Sequence, residues 1–225
     1  MKFLVLCFIM IFFIYAPNNS IAQYDYLKMV EQWPPVTCLN LPCVRNPKNF
    51  SLHGLWPSHL SGRSPMNCPP LGGFQITSVQ TLFPRINNSW PEIKKGEEER
   101  FWREEWDKHG TCSQSKFPVF DYFKLALDIK DRVNILQALI DHNVQPSSTI
   151  TYDYALVSKA LELKTGKAPE LRCIQPNGQG PVYLHEVGIC LDRDGINFQD
   201  CLQTQRQKDR VVKLCDNNKF YLKPL

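Results

Sequence analysis

The chain reads as one α+β domain, a central antiparallel sheet packed with several helices and stapled by disulfides. Two observations carry that expectation. Patterns of strand period occupy both ends of the chain and patterns of helical period its middle, an order that suits an antiparallel sheet with helices packed on it. The other is the set of eight cysteines Cys38, Cys43, Cys68, Cys112, Cys173, Cys190, Cys201 and Cys215, scattered over the residues behind an export leader. An even number in an exported chain is expected to form a disulfide framework.

The leader comes first. Lys2 supplies a charge, an apolar run covers Phe3 to Tyr15, and Ser20-Ile21-Ala22 offers small residues for cleavage. That is the layout of a secretory signal peptide over residues 1–22, which removes Cys7 with it. A membrane anchor is the competing reading, but it needs roughly 20 apolar residues, and no later segment is long and apolar enough to span. The expected product is soluble, extracellular and monomeric. Residues 23–225 then form a single domain of a size that supports a substantial core. Losing Lys2 takes the formal charge from +4 to +3. So mild a basic surface suits a polyanion, yet does not by itself indicate nucleic acid. No repeat, low-complexity tract or interdomain linker interrupts the sequence. No CxxC pair is present, which argues against zinc as the reason for the cysteines. Asn49 and Asn87 begin glycosylation sequons.

Strands are predicted over Asp25–Gln32, Phe50–Leu55, Glu170–Ile174, His185–Asp192 and Lys219–Leu222. Proline and glycine concentrate between Pro34 and Gly73, and Pro57 to Phe74 reads as an exposed loop. The first helix covers Glu97 to His109, with Phe101, Trp102 and Trp106 among charges. A second runs from Val119 to Asn143, with Phe120, Phe123, Leu127, Val133, Leu136 and Ile140 at helical spacing behind Pro118. That stripe reads as core. The third spans Tyr152 to Thr165 and stops at Gly166, a favoured cap.

Chemistry concentrates in two segments. In FSLHGLWPS, strand alternation sets Phe50 and Leu52 against Ser51 and His53, and Gly54 leaves backbone room beside the histidine for a ligand. In FWREEWDKHGTC, helical spacing puts Phe101, Glu105, Lys108 and His109 on one face. Each segment alone fits a structural histidine or a solvated charged face as readily as a catalytic one. Together they hold what transfer of a phosphodiester from a ribose 2′-hydroxyl needs. One imidazole removes the hydroxyl proton, another protonates the leaving 5′-oxygen, and a cation holds the added phosphorane charge. Imidazole fits both proton transfers because its ordinary pKa is about 6.5. No cofactor or metal is required if the lysine and imidazolium supply the positive charge.

These two segments resemble the active-site segments of the ribonuclease T2 family. The similarity extends to LKMVEQWPPVTC, FDYFKLALDIKDRVNIL and LHEVGIC, so it covers nearly all of residues 23–225. Within the family the chain looks closest to the S-RNases of flower styles, with extracellular S-like ribonucleases next. The resemblance implies an α+β fold and an endoribonuclease acting on RNA through a 2′,3′-cyclic phosphate. It makes His53 the general acid, His109 the general base, and Glu105 and Lys108 the groups that stabilise the phosphorane. Gln32, Trp56 and Phe101 would line the base or phosphate pocket, and the disulfides would be Cys38–Cys43, Cys68–Cys112, Cys173–Cys215 and Cys190–Cys201. Many members carry a histidine before the catalytic glutamate, where it touches phosphate. This chain has Glu104 at that place, a departure that weakens the expected phosphate binding and points to the S-RNase branch. An S-RNase would also meet a pollen-side protein partner in self-incompatibility. A rival of another class is a non-catalytic secreted storage or binding protein on the same scaffold. Loss of a histidine would mark it, and both are present.

The remaining polar residues read more plainly. His185-Glu186 begins like a zinc-protease helix, but Ile189 stands where the second histidine is needed, so the pair is taken as structural. His59 and His142 are taken as surface residues without a role. Lys94-Lys95 and Arg206 to Arg210 are taken as solvated charge.

Overall fold

A computed structural model of the chain describes residues 24–39, 42–62, 64–203, 212–215 and 219–225. The signal peptide and the Arg206 to Arg210 run lie outside the described residues. The elements in order are β1 (Tyr26–Gln32), α1 (Pro34–Thr37), β2 (Ser51–Ser58), a 3-10 stretch (Ile76–Leu82), α2 (Phe83–Ser89), α3 (Glu98–Lys108), α4 (Val119–Val133) and α5 (Ile135–Ile140). They continue with β3 (Thr151–Tyr152), α6 (Tyr154–Thr165), β4 (Glu170–Ile174), β5 (Tyr183–Asp192), β6 (Phe198–Gln199), β7 (Val212–Leu214) and β8 (Phe220–Tyr221). The α+β class, the central sheet and its packed helices are as expected.

The sheet runs in the order β2-β1-β5-β4-β7, each neighbour antiparallel. β6 pairs with β5, β8 pairs with β3, and β8 also meets β5 in a single parallel pairing of Tyr183 with Tyr221. β1 lies between β2 and β5 and is buried throughout. Strand alternation divides the sheet into two faces. Leu27, Met29, Leu55, Leu171, Val187, Ile189 and Leu191 join one continuous core with Phe123, Ala126 and Leu127 of α4. Tyr122 of α4 ties that helix to β2 by donating to the Leu55 carbonyl at 2.6 Å. On the opposite face stand Lys28, Trp56, Glu170 and Arg172, brought into line by the register of β2, β1, β5 and β4.

The pairing of β1 with β2 skips one residue: Val30 faces Gly54 and Glu31 faces Leu52, so His53 is the extra residue of a β-bulge. Bulges re-aim a side chain, and they recur beside active sites. A second register shift sits on β4–β5, where Arg172 faces Glu186 and Cys173 faces Leu184.

Several local expectations are corrected. The long helix is two helices, because Asn134 adopts a left-handed conformation (φ 42°) between α4 and α5 and accepts the Gln137 N–H. Phe120 and Ile140, placed in the core by spacing, are exposed. Pro57 does not begin the loop. It belongs to β2, which is the edge strand of the sheet order, where the missing N–H is tolerated. The other two predicted helices hold as Glu98–Lys108 and Tyr154–Thr165, the latter ending on left-handed Gly166 (φ 72°). The disulfides are Cys38–Cys43, Cys68–Cys112, Cys173–Cys215 and Cys190–Cys201, all four as the resemblance implied.

Candidate active site

The site forms where the end of α3 meets the charged face of β2. Trp102 and Trp106 bury one side of α3. The Trp102 indole donates to the Trp90 carbonyl at 2.8 Å, and the Trp90 indole donates in turn to the His53 carbonyl at 3.1 Å. The helix and the bulged strand are thereby fixed to each other through the backbone of the histidine itself. His109 stands immediately after α3, its N–H still bonded to the Glu105 carbonyl at 3.0 Å. The 3-10 turn that follows ends at Cys112, whose disulfide to Cys68 anchors this corner.

Fold and packing bring most of the predicted site residues together around one indole. The ring of Trp56 lies 5.2 Å from the ring of His53 and 5.2 Å from that of His109, measured between centroids. Both imidazoles therefore neighbour a single aromatic ring. Phe101 stacks against His53 at 6.5 Å. The Trp56 indole donates to Glu105 at 3.1 Å. His53 is about one-third exposed whereas His109 is buried, at 4%.

Gly54 has a sharper role than the one read from sequence. A Cβ there would lie 2.3 Å from both Glu105 Oε2 and Trp56 Nε1. The space beside it is filled by the Trp56–Glu105 pair rather than left for a ligand. Burial pushes the Glu105 carboxyl above the ordinary carboxylate range. The nearby His53, the Trp56 hydrogen bond and Lys108 pull it back, and Glu186 adds to the rise.

Lys108 is exposed on the last turn of α3 and reaches Glu105 through its charge. Gln32 is buried next to the site on β1, facing Ser51 and Glu186 across the strands, and accepts from Thr37 Oγ1 at 3.0 Å. Glu104 is exposed and pairs with Arg100 one helical turn earlier at 2.8 Å, so its carboxylate is engaged along the helix surface. His59 lies 3.5 Å from Asp25, and His142 Nδ1 lies 2.9 Å from the Ala138 carbonyl, one turn back. Lys94 and Lys95 are exposed, as expected. Among the described residues no group of three or more His, Cys, Asp or Glu side chains could hold a metal ion, and no helix is long and apolar enough to cross a membrane.

One site residue was missed. Glu186, read as structural, places Oε1 2.7 Å from His53 Nδ1. Strand alternation puts Glu186 on a definite face, but nothing local identifies a partner 133 residues away.

Fold and sequence motifs together define a disulfide-stapled α+β ribonuclease, in which two histidines border one indole. Residues 24–201 match the ribonuclease T2 family. Ribonuclease MC of Momordica charantia is 37% identical over 182 residues, which cover 79% of this chain and 94% of that protein. Ribonuclease S-7 of Nicotiana alata is 31% identical over 184 residues, covering 79% and 82%. A solved structure of a ribonuclease MC1 variant in complex with 5′-GMP superposes with a TM-score of 0.80 at 34% identity, covering 89% of this chain and 100% of the other. The chain belongs to the ribonuclease T2 family and is an endoribonuclease.

Proposed function

We propose that this enzyme is a secreted ribonuclease that cleaves single-stranded RNA with His53 and His109. In the first step His109 takes the proton of the ribose 2′-hydroxyl, whose oxygen attacks phosphorus. His53 gives its Nε2 proton to the 5′-oxygen as the P–O5′ bond breaks. The product is a 2′,3′-cyclic phosphate, and water reopens it to a 3′-phosphate with the two imidazoles exchanging roles. Lys108 and Glu105 stabilise the phosphorane, while Trp56, Phe101 and Gln32 line the base or phosphate pocket, with Trp56 as a stacking surface. Glu104 belongs to the same pocket in this reading. The observation that carries the proposal is the placement of both imidazoles around the Trp56 ring, with Glu105 bonded to that ring.

Purified protein is expected to degrade RNA without added metal. His53→Ala and His109→Ala each lower the rate by about 10²–10⁴-fold while leaving the melting temperature within a few degrees of wild type. Wild-type rates in either variant would overturn the assignment.

Within the family the reading is an S-RNase: a stylar protein that enters pollen tubes, meets a pollen-side protein partner and degrades pollen RNA. The motifs quoted from the sequence and the acidic residue at Glu104 support it. The alternative is an extracellular S-like ribonuclease for phosphate recovery or defence, supported by 30% identity to the extracellular ribonuclease LE of Solanum lycopersicum. Transcripts confined to styles, with strong allelic divergence, fit the first reading. Induction in leaves under phosphate starvation fits the second. Export and glycosylation belong to both. Asn87 is exposed at the end of α2 and is the favoured glycan site, whereas Asn49 is partly buried and donates to Asn134 at 3.3 Å. Peptide mapping before and after glycosidase treatment tests that preference.

A further inference from the structure

We propose that Glu186 is a positioning residue for His53, and that the working unit of this active site includes a Glu186–His53 dyad. The inference deepens the reading of His53 as general acid and rests on it. Three observations carry it. His53 sits on a β-bulge, where backbone pairing does not fix the direction of its ring. Its Nδ1 lies 2.7 Å from Glu186 Oε1, within the distance of a strong charge-assisted hydrogen bond. Glu186 is buried, at 3% exposure, in the middle of β5, a rigid support between Gln32 of β1 and Arg172 of β4 as cross-strand neighbours.

A buried carboxylate needs cationic partners, and the fold supplies them in a row. Arg172, directly across from Glu186, donates its Nε to Glu170 at 2.7 Å. Lys28 reaches both Glu170 oxygens, at 3.1 and 3.0 Å. Two cations and two carboxylates thus stand side by side beneath the site. Gly188 leaves room for the Lys28 chain, since a Cβ there would lie 3.1 Å from Lys28 Cδ. Of these four side chains, Glu186 is bonded to the imidazole, with Arg172 as its cross-strand neighbour.

The chemical consequence follows from which nitrogen is occupied. With Nδ1–H donated to Glu186, Nε2 is the nitrogen that serves the phosphate, and the Nδ1 proton stays in place throughout. The Nε2 proton alone moves to the 5′-oxygen as the P–O5′ bond breaks, and the electron pair of the N–H bond remains on the nitrogen. Glu186 is not itself protonated. A carboxylate at this position also favours the imidazolium that a general acid must be before the step. The groups set against His53 are Glu186 on β5, Glu105 on α3 through its charge, and the rings of Trp56 on β2 and Phe101 on α3.

The test compares two substrates in wild type, Glu186→Gln, Glu186→Asp and His53→Ala. One substrate is an RNA dinucleotide, whose leaving alkoxide needs a proton. The other is a nucleoside 3′-(4-nitrophenyl phosphate), whose leaving group departs without one. Glu186→Gln is expected to lower kcat on the dinucleotide by at least about tenfold, a fraction of what general acid catalysis contributes, with little change in KM. On the nitrophenyl ester it should be nearly as fast as wild type. Glu186→Asp keeps the charge and should recover part of the loss. A general loss of structure would slow both substrates alike, and that result, or wild-type kcat on the dinucleotide, overturns the proposal. If His53→Ala itself cleaves the dinucleotide at the wild-type rate, the reading of His53 fails instead. Should Glu186→Gln not fold, the wild-type protein still decides: proton NMR should show a downfield, slowly exchanging His53 Nδ1–H that is absent in His53→Ala. A rapidly exchanging, unshifted signal overturns the dyad.

Discussion

The two faces of one sheet divide the labour of this enzyme. β1, β5 and β4 contribute to both, and both are buried, but they are buried by different chemistry. Against α4 the strands present Leu27, Met29, Leu171, Val187 and Ile189, each at 0–2% exposure. Towards the site the same strands present Lys28, Glu170, Arg172 and Glu186, also at 1–4%. The apolar face gains free energy from removing hydrocarbon from water, at about 25 cal/mol per Å². The charged face gains little net stability, because desolvating paired ions roughly cancels their attraction. Stability therefore belongs to the apolar face, and where the proposed reaction uses the charged one, substitutions should separate the two.

The largest expected effect on stability lies on the apolar face. Leu171 is fully buried within the main core cluster. Leu171→Ala removes that packing and should cost about 2–5 kcal/mol, read as a lower denaturant midpoint at unchanged m-value. Turnover of the variant that remains folded should stay near wild type. A matching fall in kcat would show that the two faces are coupled.

Gly54 offers the opposite test. Gly54→Ala drives a methyl group into Glu105 Oε2 and Trp56 Nε1. Overpacking of this kind costs about 1–3 kcal/mol, less than the core truncation. The activity loss should be the greater consequence, because the Trp56 ring beside both histidines and the Glu105 bonded to it are displaced. A fall of at least about tenfold in kcat/KM is expected from misplaced catalytic groups. Unchanged activity would mean that the Trp56–Glu105 bond has no part in turnover.

The apolar face was the legible one. Alternation in LKMVEQ and EVGICLD, and the helical spacing of Phe123 and Leu127, are local signals of period 2 and 3.6, and they placed β1, β5 and the first part of α4 correctly. The pattern failed where a single backbone conformation overrides it. Apolar spacing continues unbroken through Ile135 and Leu139, while left-handed Asn134 turns the chain there. The two-residue strands β3 and β6 exist only through their partners and leave no period to read, whereas β8 falls inside the strand expected over Lys219–Leu222. On the charged face, His53 and His109 stood out through their segments, but Glu186 did not. A carboxylate in a strand announces no role until register sets it opposite Arg172 and within reach of a histidine on another strand. The disulfide pairs, too, came from family resemblance, since spacing alone does not select a pairing.

The smallest expected effect is the most diagnostic of what the charged face costs. Burial raises the Glu105 carboxyl above the ordinary carboxylate range, so the folded state binds its proton more tightly than the unfolded chain does. Below the unfolded value of about 4.3 both states are protonated and no penalty arises. As pH rises through the unfolded value towards the folded one, the unfolded chain gives up the proton first and stability falls; above both values the full penalty remains. Glu105→Gln has no charge to desolvate, and its amide oxygen can still accept the Trp56 N–H. The variant should melt higher than wild type at pH 7, by about 2–4 °C for each kcal/mol recovered in a domain of this size. The difference should shrink steadily towards pH 4. Its kcat should drop at the same time if, as proposed, this carboxylate stabilises the phosphorane. A variant that melts at or below the wild-type temperature at pH 7, with no dependence on pH, would show that the neighbouring cations outweigh burial at Glu105.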